Sequence, residues 1–145
     1  MQTISRSALV PYSASEMFSL VDNIIAYPEF LPWCSKSNEI ERDTDEVYAS
    51  IEINKGVLRK SFSTCNRIQK NKMIEMRLKE GPFKYLQGFW RFDQLGDEGC
   101  RISFDLQFEF SNRLLGMTVG PIFSQIANSM VDAFNQRAHQ IYGKR

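Results

Sequence analysis

The chain has 145 residues, 43% hydrophobic and 12% aromatic, with eleven Phe and a formal net charge of +1. That is the size and make-up of one globular domain with a substantial core, expected to span residues 1–145. The sequence has no run of about 18 apolar residues, so no membrane-crossing helix is expected, and residues 1–6 lack the basic-then-apolar pattern of a secretory signal. Cys34, Cys65 and Cys100 are odd in number and far apart. They fit neither a disulfide framework nor a zinc site, and reduced thiols in the cytoplasm are the simplest expectation.

In chain order, residues 2–10 read as a first strand. Ser13-Ala14-Ser15-Glu16 fits a capping box, and Met17, Leu20, Val21 and Ile24 follow at helical spacing. Next comes Tyr27-Pro28-Glu29-Phe30-Leu31-Pro32-Trp33-Cys34, a connector with three aromatics, two prolines and one charge. Connections are normally polar and solvated. This one is stiff and apolar, so it is either a packed corner between helix and strand or the roof of a cavity, with one helical turn expected after Pro28. Val47, Ala49, Ile51 and Ile53 then alternate with Tyr48, Ser50 and Glu52, ending in a turn at Asn54-Lys55-Gly56. Residues 58–68 read as a weaker strand with Leu58, Phe62 and Ile68 in phase. Ile74, Met76 and Leu78 alternate in the next, and residues 84–94 are partly apolar on both faces. Gly96-Asp97-Glu98-Gly99 signals a hairpin. Beyond it Ile102, Phe104, Leu106, Phe108 and Phe110 share one face of the clearest strand.

The period changes after that. Phe123, Ile126, Met130, Phe134, Ala138 and Ile141 recur every three or four residues, the stripe of an amphipathic helix of about twenty residues. Leu114-Leu115 would begin it earlier, with Gly120-Pro121 as a break or kink. Hairpin-linked strands with segregated helices predict an α+β fold in which a curved antiparallel sheet wraps around a long C-terminal helix.

Catalytic motifs are scarce. The lone histidine, His139, fits a surface or helix-terminal role. No phosphate-binding glycine loop, nucleophile elbow or metal-ligand cluster occurs, and the sheet carboxylates Glu75, Glu80, Asp105 and Glu109 fall mostly on a polar phase. A crevice between sheet and helix is the better candidate. Phe30, Leu31 and Trp33 would close it, Leu86, Trp90, Phe104, Leu106 and Phe108 would floor it, and Ile126, Met130 and Phe134 would form the other wall. The competing reading of this stripe is plain core.

Charge is unevenly spread. Residues 54–91 hold ten basic and two acidic side chains, whereas residues 1–53 hold three basic and nine acidic. Lys55, Arg59, Arg67, Lys70, Lys72, Arg77 and Lys79 would merge into one positive outer face, opposite the crevice, suited to an anionic partner such as RNA, or else be merely solvated lysines and arginines. No DNA partner and at most peripheral membrane contact are expected.

Several segments, in order and spacing, resemble the ribosome association toxin/coenzyme Q-binding branch of the START-like (polyketide cyclase-type, SRPBCC) family. They include Val21-Asp22 with the connector, Lys60-Ser61-Phe62-Ser63-Thr64, Glu80-Gly81-Pro82-Phe83-Lys84, Cys100-Arg101-Ile102-Ser103-Phe104, Phe108-Glu109-Phe110-Ser111-Asn112 and Met130-Val131-Asp132-Ala133-Phe134. The resemblance implies a helix-grip fold and no enzyme activity. It implies a pocket for ubiquinone or another isoprenoid lipid, linked to respiration, with no cofactor required. It also implies binding to the large ribosomal subunit that blocks subunit joining, with a small antitoxin protein as a further partner. No catalytic motif carries over from it. Wider relatives of the fold include cyclases and hydrolases, but fold alone does not make an enzyme.

Overall fold

The computed structural model describes residues 1–145. Seven strands form one antiparallel sheet: β1 (Gln2–Val10), β2 (Cys34–Arg42), β3 (Glu46–Lys55), β4 (Leu58–Gln69), β5 (Met73–Glu80), β6 (Phe83–Leu95) and β7 (Gly99–Phe110). Their order across the sheet is β1-β7-β6-β5-β4-β3-β2, so hairpins link β2 to β7 in sequence and the first strand closes against the last. Between β1 and β2 lie helix α1 (Ala14–Asp22) and a 3-10 turn (Ile24–Glu29); α2 (Arg113–Asn128) and α3 (Met130–Tyr142) follow β7.

Period-two alternation sorts the sheet into two faces. Paired residues share a face, so Phe104 lies beside Trp90, Leu106 beside Gly88 and Ile4, and Asn66 beside Val47 and Met76. This face is concave and carries the core; α2 and α3 lie across it in the helix-grip arrangement. Phe123 of α2 meets Phe83, Phe108 and Phe110, with ring centroids 4.8–5.8 Å apart. Phe134 of α3 packs edge-on against Trp90 at 5.3 Å. Such edge and offset contacts add to the area buried.

α1 starts where its capping box lies. The Ser13 hydroxyl accepts from the Glu16 amide at 3.1 Å, and the Ser13 amide donates to the Glu16 carboxylate at 2.9 Å. That carboxylate also holds Arg145 at 2.6 and 2.8 Å, which ties the C-terminus to α1.

Two expectations differ from the structure, and one strand had no counterpart in the sequence reading. The helical turn comes before and through Pro28 rather than after it, because Ile24 leaves α1 for the 3-10 turn. The polar segment Cys34–Arg42 is a strand; it is an edge strand, bulged twice, and its charged residues suit an edge. The C-terminal stripe is carried by two helices meeting at 41°, not one. Pro121 sits inside α2 without ending it. The break falls at Ser129, where side chains compete for the backbone acceptors: Ser129 Oγ donates to Ile126 O at 2.7 Å and Asn128 Nδ2 to Ser124 O at 3.0 Å. No single helix is long and apolar enough to cross a membrane.

Candidate functional site: an apolar cavity under the sheet

The concave face is not completely filled. Between β3–β7 and the α2–α3 junction lies a cavity of about 80 Å³, lined by eighteen residues of which sixteen are hydrophobic. The connector supplies Ile24, Tyr27 and Trp33; β3 supplies Ala49, Ile51 and Ile53; β4 supplies Phe62, Thr64 and Asn66. Met76 comes from β5, Leu86 and Trp90 from β6, Phe104 and Leu106 from β7, and Phe123, Ile126, Ala127 and Met130 from the helices. Gly88 shares this face. A Cβ there would lie 2.8 Å from the Met76 methyl and 3.1 Å from Leu106, so glycine lets those side chains close the floor.

Of the crevice residues expected from sequence, Trp33, Leu86, Trp90, Phe104, Leu106, Ile126 and Met130 line this cavity. Four do not. Leu31 is buried in the core beneath the connector. Phe108 belongs to the aromatic cluster around Phe123, toward the far end of β7. Phe134 is fully buried behind the cavity, wedged between Tyr27, Phe30 and Trp90. Phe30 is half-buried on the outer side of Phe134, with the Arg137 guanidinium 4.8 Å above its ring and Arg137 itself 2.9 Å from Glu29. Phe108 and Phe134 face inward but meet other rings instead of empty space, while on the 3-10 turn Ile24 and Tyr27, three residues apart, share the face toward the cavity.

The connector is tied down throughout. Tyr27 donates its hydroxyl to Val21 O; burial raises its phenol far above the ordinary tyrosine value, so it stays neutral. Leu31 N–H donates to Tyr27 O at 2.9 Å, and Asn54 N–H to Trp33 O at 2.8 Å. Tyr27 is the one ionisable side chain on the cavity wall. The polar lining residues are Thr64 and Asn66, whose side chains bond to each other, Thr64 Oγ to Asn66 Oδ1 at 2.8 Å. Sequence reasoning missed both, along with the β3 wall. The signal was present: Thr64 and Asn66 occupy the same phase as Leu58, Phe62 and Ile68, and are polar residues on an inward-facing register.

His139 lies in the last turn of α3, far from the cavity wall. Tyr12 donates its hydroxyl to Gly143 O at 2.7 Å, so at 2.6 Å the Nδ1–H of His139 must be the donor to Tyr12. This is a clasp on the C-terminus.

The basic set does not merge into a uniform positive face. Arg59, Arg67, Arg77 and Lys79 do share the convex side, but Lys55 lies at the β3–β4 turn, while Lys70 and Lys72 lie at the β4–β5 turn at the opposite end. Carboxylates lie among them, Glu46 from the neighbouring β3 and Glu75 from β5 itself. Arg67 lies 3.9 Å from Glu46 and Arg77 2.9 Å from Glu75, while Lys79 sits 4.2 Å above the Tyr48 ring. The segment charge of residues 54–91 is therefore partly neutralised by β3, which the sequence places in the acidic third.

The fold and its cavity define a helix-grip protein built around an apolar binding space. The model of the family described as polyketide cyclase / dehydrase and lipid transport matches residues 10–135. The ribosome association toxin RatA of Pseudomonas aeruginosa is 47% identical over 140 residues, covering 97% of each chain. The mitochondrial coenzyme Q-binding protein COQ10 homolog B of Xenopus laevis is 26% identical, over 97% of this chain and 59% of that protein. Among solved structures, the ZhuI aromatase/cyclase of a Streptomyces species superposes with a TM-score of 0.83 at 12% identity, over 96% and 94% of the two chains, a likeness of fold alone. The chain belongs to the START-like polyketide cyclase and lipid transport family, in the branch that holds the RatA proteins.

Proposed function

We propose that this chain is a non-enzymatic binding protein whose cavity takes ubiquinone or a similar isoprenoid lipid in support of respiration. The observation that carries the reading is the cavity wall: sixteen hydrophobic residues, one of them bearing a neutral phenol already engaged by Val21, and a single neutral polar pair. Such a wall offers dispersion contacts and a few neutral hydrogen-bonding groups but no acid or base placed to act on a ligand. The name of the COQ10 relative supports the same ligand class. At about 80 Å³ the space is well below the ~300–1000 Å³ of typical ligand pockets. A ring with an isoprenoid tail enters only as the walls part, and the unbranched Met76 and Met130 and the half-buried Phe62 and Ile51 are the adaptable ones.

Trp33 and Trp90, the only two tryptophans of the chain, both line the cavity, so their fluorescence reports on it. Ubiquinone added to purified protein is expected to quench both, and solvent extraction of protein from its own cells is expected to release an isoprenoid. Unchanged fluorescence with an empty extract would refute the reading.

A second reading is favoured by the RatA relatives: association with the large ribosomal subunit, with subunit joining blocked and a small antitoxin protein as partner, the pocket being incidental to it. Of Arg59, Arg67, Arg77 and Lys79, Arg59 and Lys79 have no carboxylate within ion-pair distance. Replacing both by Glu is expected to abolish co-sedimentation with large subunits at moderate salt; undiminished co-sedimentation sinks this surface.

A further inference from the structure

Asn66 presents a chemical anomaly within the cavity. It is 6% exposed, and its one hydrogen-bond partner is the hydroxyl of Thr64, which donates to its Oδ1. Its neighbours on the same face are Val47 across β3 and Met76 across β5, and those of Thr64 are Ala49 and Leu78; none has a side-chain polar group to offer. Asn66 lines the cavity, and its Nδ2 group, with two N–H donors, makes no hydrogen bond to the protein. If the amide is turned over, Nδ2 donates to Thr64 and the Thr64 hydroxyl hydrogen becomes the free donor. In both arrangements the pair offers the cavity a donor. A donor without a protein acceptor on an otherwise apolar wall suits an acceptor on whatever fills the space.

We propose that Asn66, oriented by Thr64, is the head-group anchor of the cavity, and that it donates to a carbonyl oxygen on the buried end of the ligand. The inference rests on the proposed lipid-binding function and narrows its ligand class. The occupant is an apolar molecule with a carbonyl at the end lying against β4, as a quinone ring carries and a plain isoprenoid hydrocarbon does not. Trp33 and Trp90 supply flat surface for a ring on the same wall system. The pair also sets a polarity for binding: head group toward β4, tail away from it.

The test compares two probes of matched size, decyl-1,4-benzoquinone and decylbenzene, by calorimetric titration of the full chain. Wild type is expected to bind the quinone about tenfold to hundredfold more tightly than the hydrocarbon. Asn66→Leu, close in size and unable to donate, is expected to lose that preference while holding decylbenzene at least as well. The infrared carbonyl stretch of the bound quinone should lie lower in wild type than in Asn66→Leu. Thr64→Val, which keeps the amide but frees its orientation, should give an intermediate preference and guards against a folding failure of the first variant. Equal binding of both probes to wild type, or a preference that survives in Asn66→Leu, overturns the anchor and leaves lipid binding standing. Failure of wild type to bind either probe overturns the proposed function and the anchor with it.

Discussion

Filling the cavity should separate its role from that of the surrounding core. Ala49 on β3 is 2% exposed and forms part of the wall. Ala49→Leu adds three carbons directed into a space of about 80 Å³. The three carbons fall on the β3 side of that space, where a ligand would have to lie. Burying three methylene equivalents contributes up to about 2.4 kcal/mol, against an overpacking cost of about 1–3 kcal/mol if the walls do not yield. The net change in stability is thus small, within about 1 kcal/mol, or about 3 °C in Tm for a chain of this size. The ligand effect is much larger. A ligand at one hundred times its Kd stabilises wild type by about 2.7 kcal/mol, equivalent to about 8 °C. Thermal denaturation with and without decyl-1,4-benzoquinone is therefore expected to show a shift of that size in wild type and none in Ala49→Leu, at nearly equal Tm for the empty proteins. A full ligand shift retained by Ala49→Leu would refute the placement of the ligand in this cavity.

The other predictions concern the termini and the thiols. Ser13→Ala removes the acceptor that caps α1 and is expected to cost about 1 kcal/mol, read as a drop of about 3 °C in Tm. The hydrogen bond from Arg145 holds the Glu16 carboxyl below its ordinary value of 4.5, with Ser13 acting in the same direction. A depressed carboxylate stabilises the fold above its unfolded value and loses that contribution as pH falls through the folded one. Glu16→Gln should therefore melt about 1–3 °C below wild type at pH 7, with the gap closing as pH falls through the folded carboxyl's value; a gap that does not narrow in acid would show that packing, not charge, is responsible. Burial pushes the Cys34 and Cys100 thiols up to about 11, whereas Cys65 is half-exposed on the convex face. At pH 8 one thiol per folded chain is expected to react with an aromatic disulfide reagent and three after unfolding; three fast thiols in the folded protein would contradict these positions.

Much of the fold was readable because its strongest elements obey one period for long stretches. Five inward residues on β7 and the 3–4 spacing from Phe123 to Ile141 leave no alternative assignment. β2 escaped because an edge strand with two bulges need not alternate, and its charged residues serve the edge rather than a core. The break at Ser129 escaped because proline is the louder signal. Pro121 sits where α2 tolerates it, while the quieter Asn128 and Ser129 side chains redirect the backbone. In the cavity, period identified which sheet residues face inward but not which inward residues lie beside empty space. Phe108 and Phe134 satisfy the same pattern as Phe104 and Met130 and differ only in what α2 and α3 place opposite them. Net charge by segment was misleading for a similar reason: β3 and β4 are adjacent in space, so acidic residues counted in one third of the chain neutralise basic residues counted in the next.

The strand β4 decides whether two binding activities can coexist in so small a chain. Its even positions, Phe62, Thr64 and Asn66, face the cavity, and its odd positions, Arg59, Cys65 and Arg67, face solvent on the convex side. Because the side-chain period of a strand is two, no residue of β4 serves both faces, and a one-residue slip would exchange every role at once. The register is pinned by ten consecutive pairs with β3, from Glu46 with Arg67 to Lys55 with Leu58, so the exchange does not occur. Substitutions confined to the inward phase, such as Asn66→Leu, therefore alter ligand binding without touching the convex charges, and Arg59→Glu with Lys79→Glu alters those charges without touching the cavity. A loss of ribosome association in Asn66→Leu at unchanged Tm would mean that ligand occupancy changes the shape of the sheet, since no side chain is shared through which the effect could pass directly.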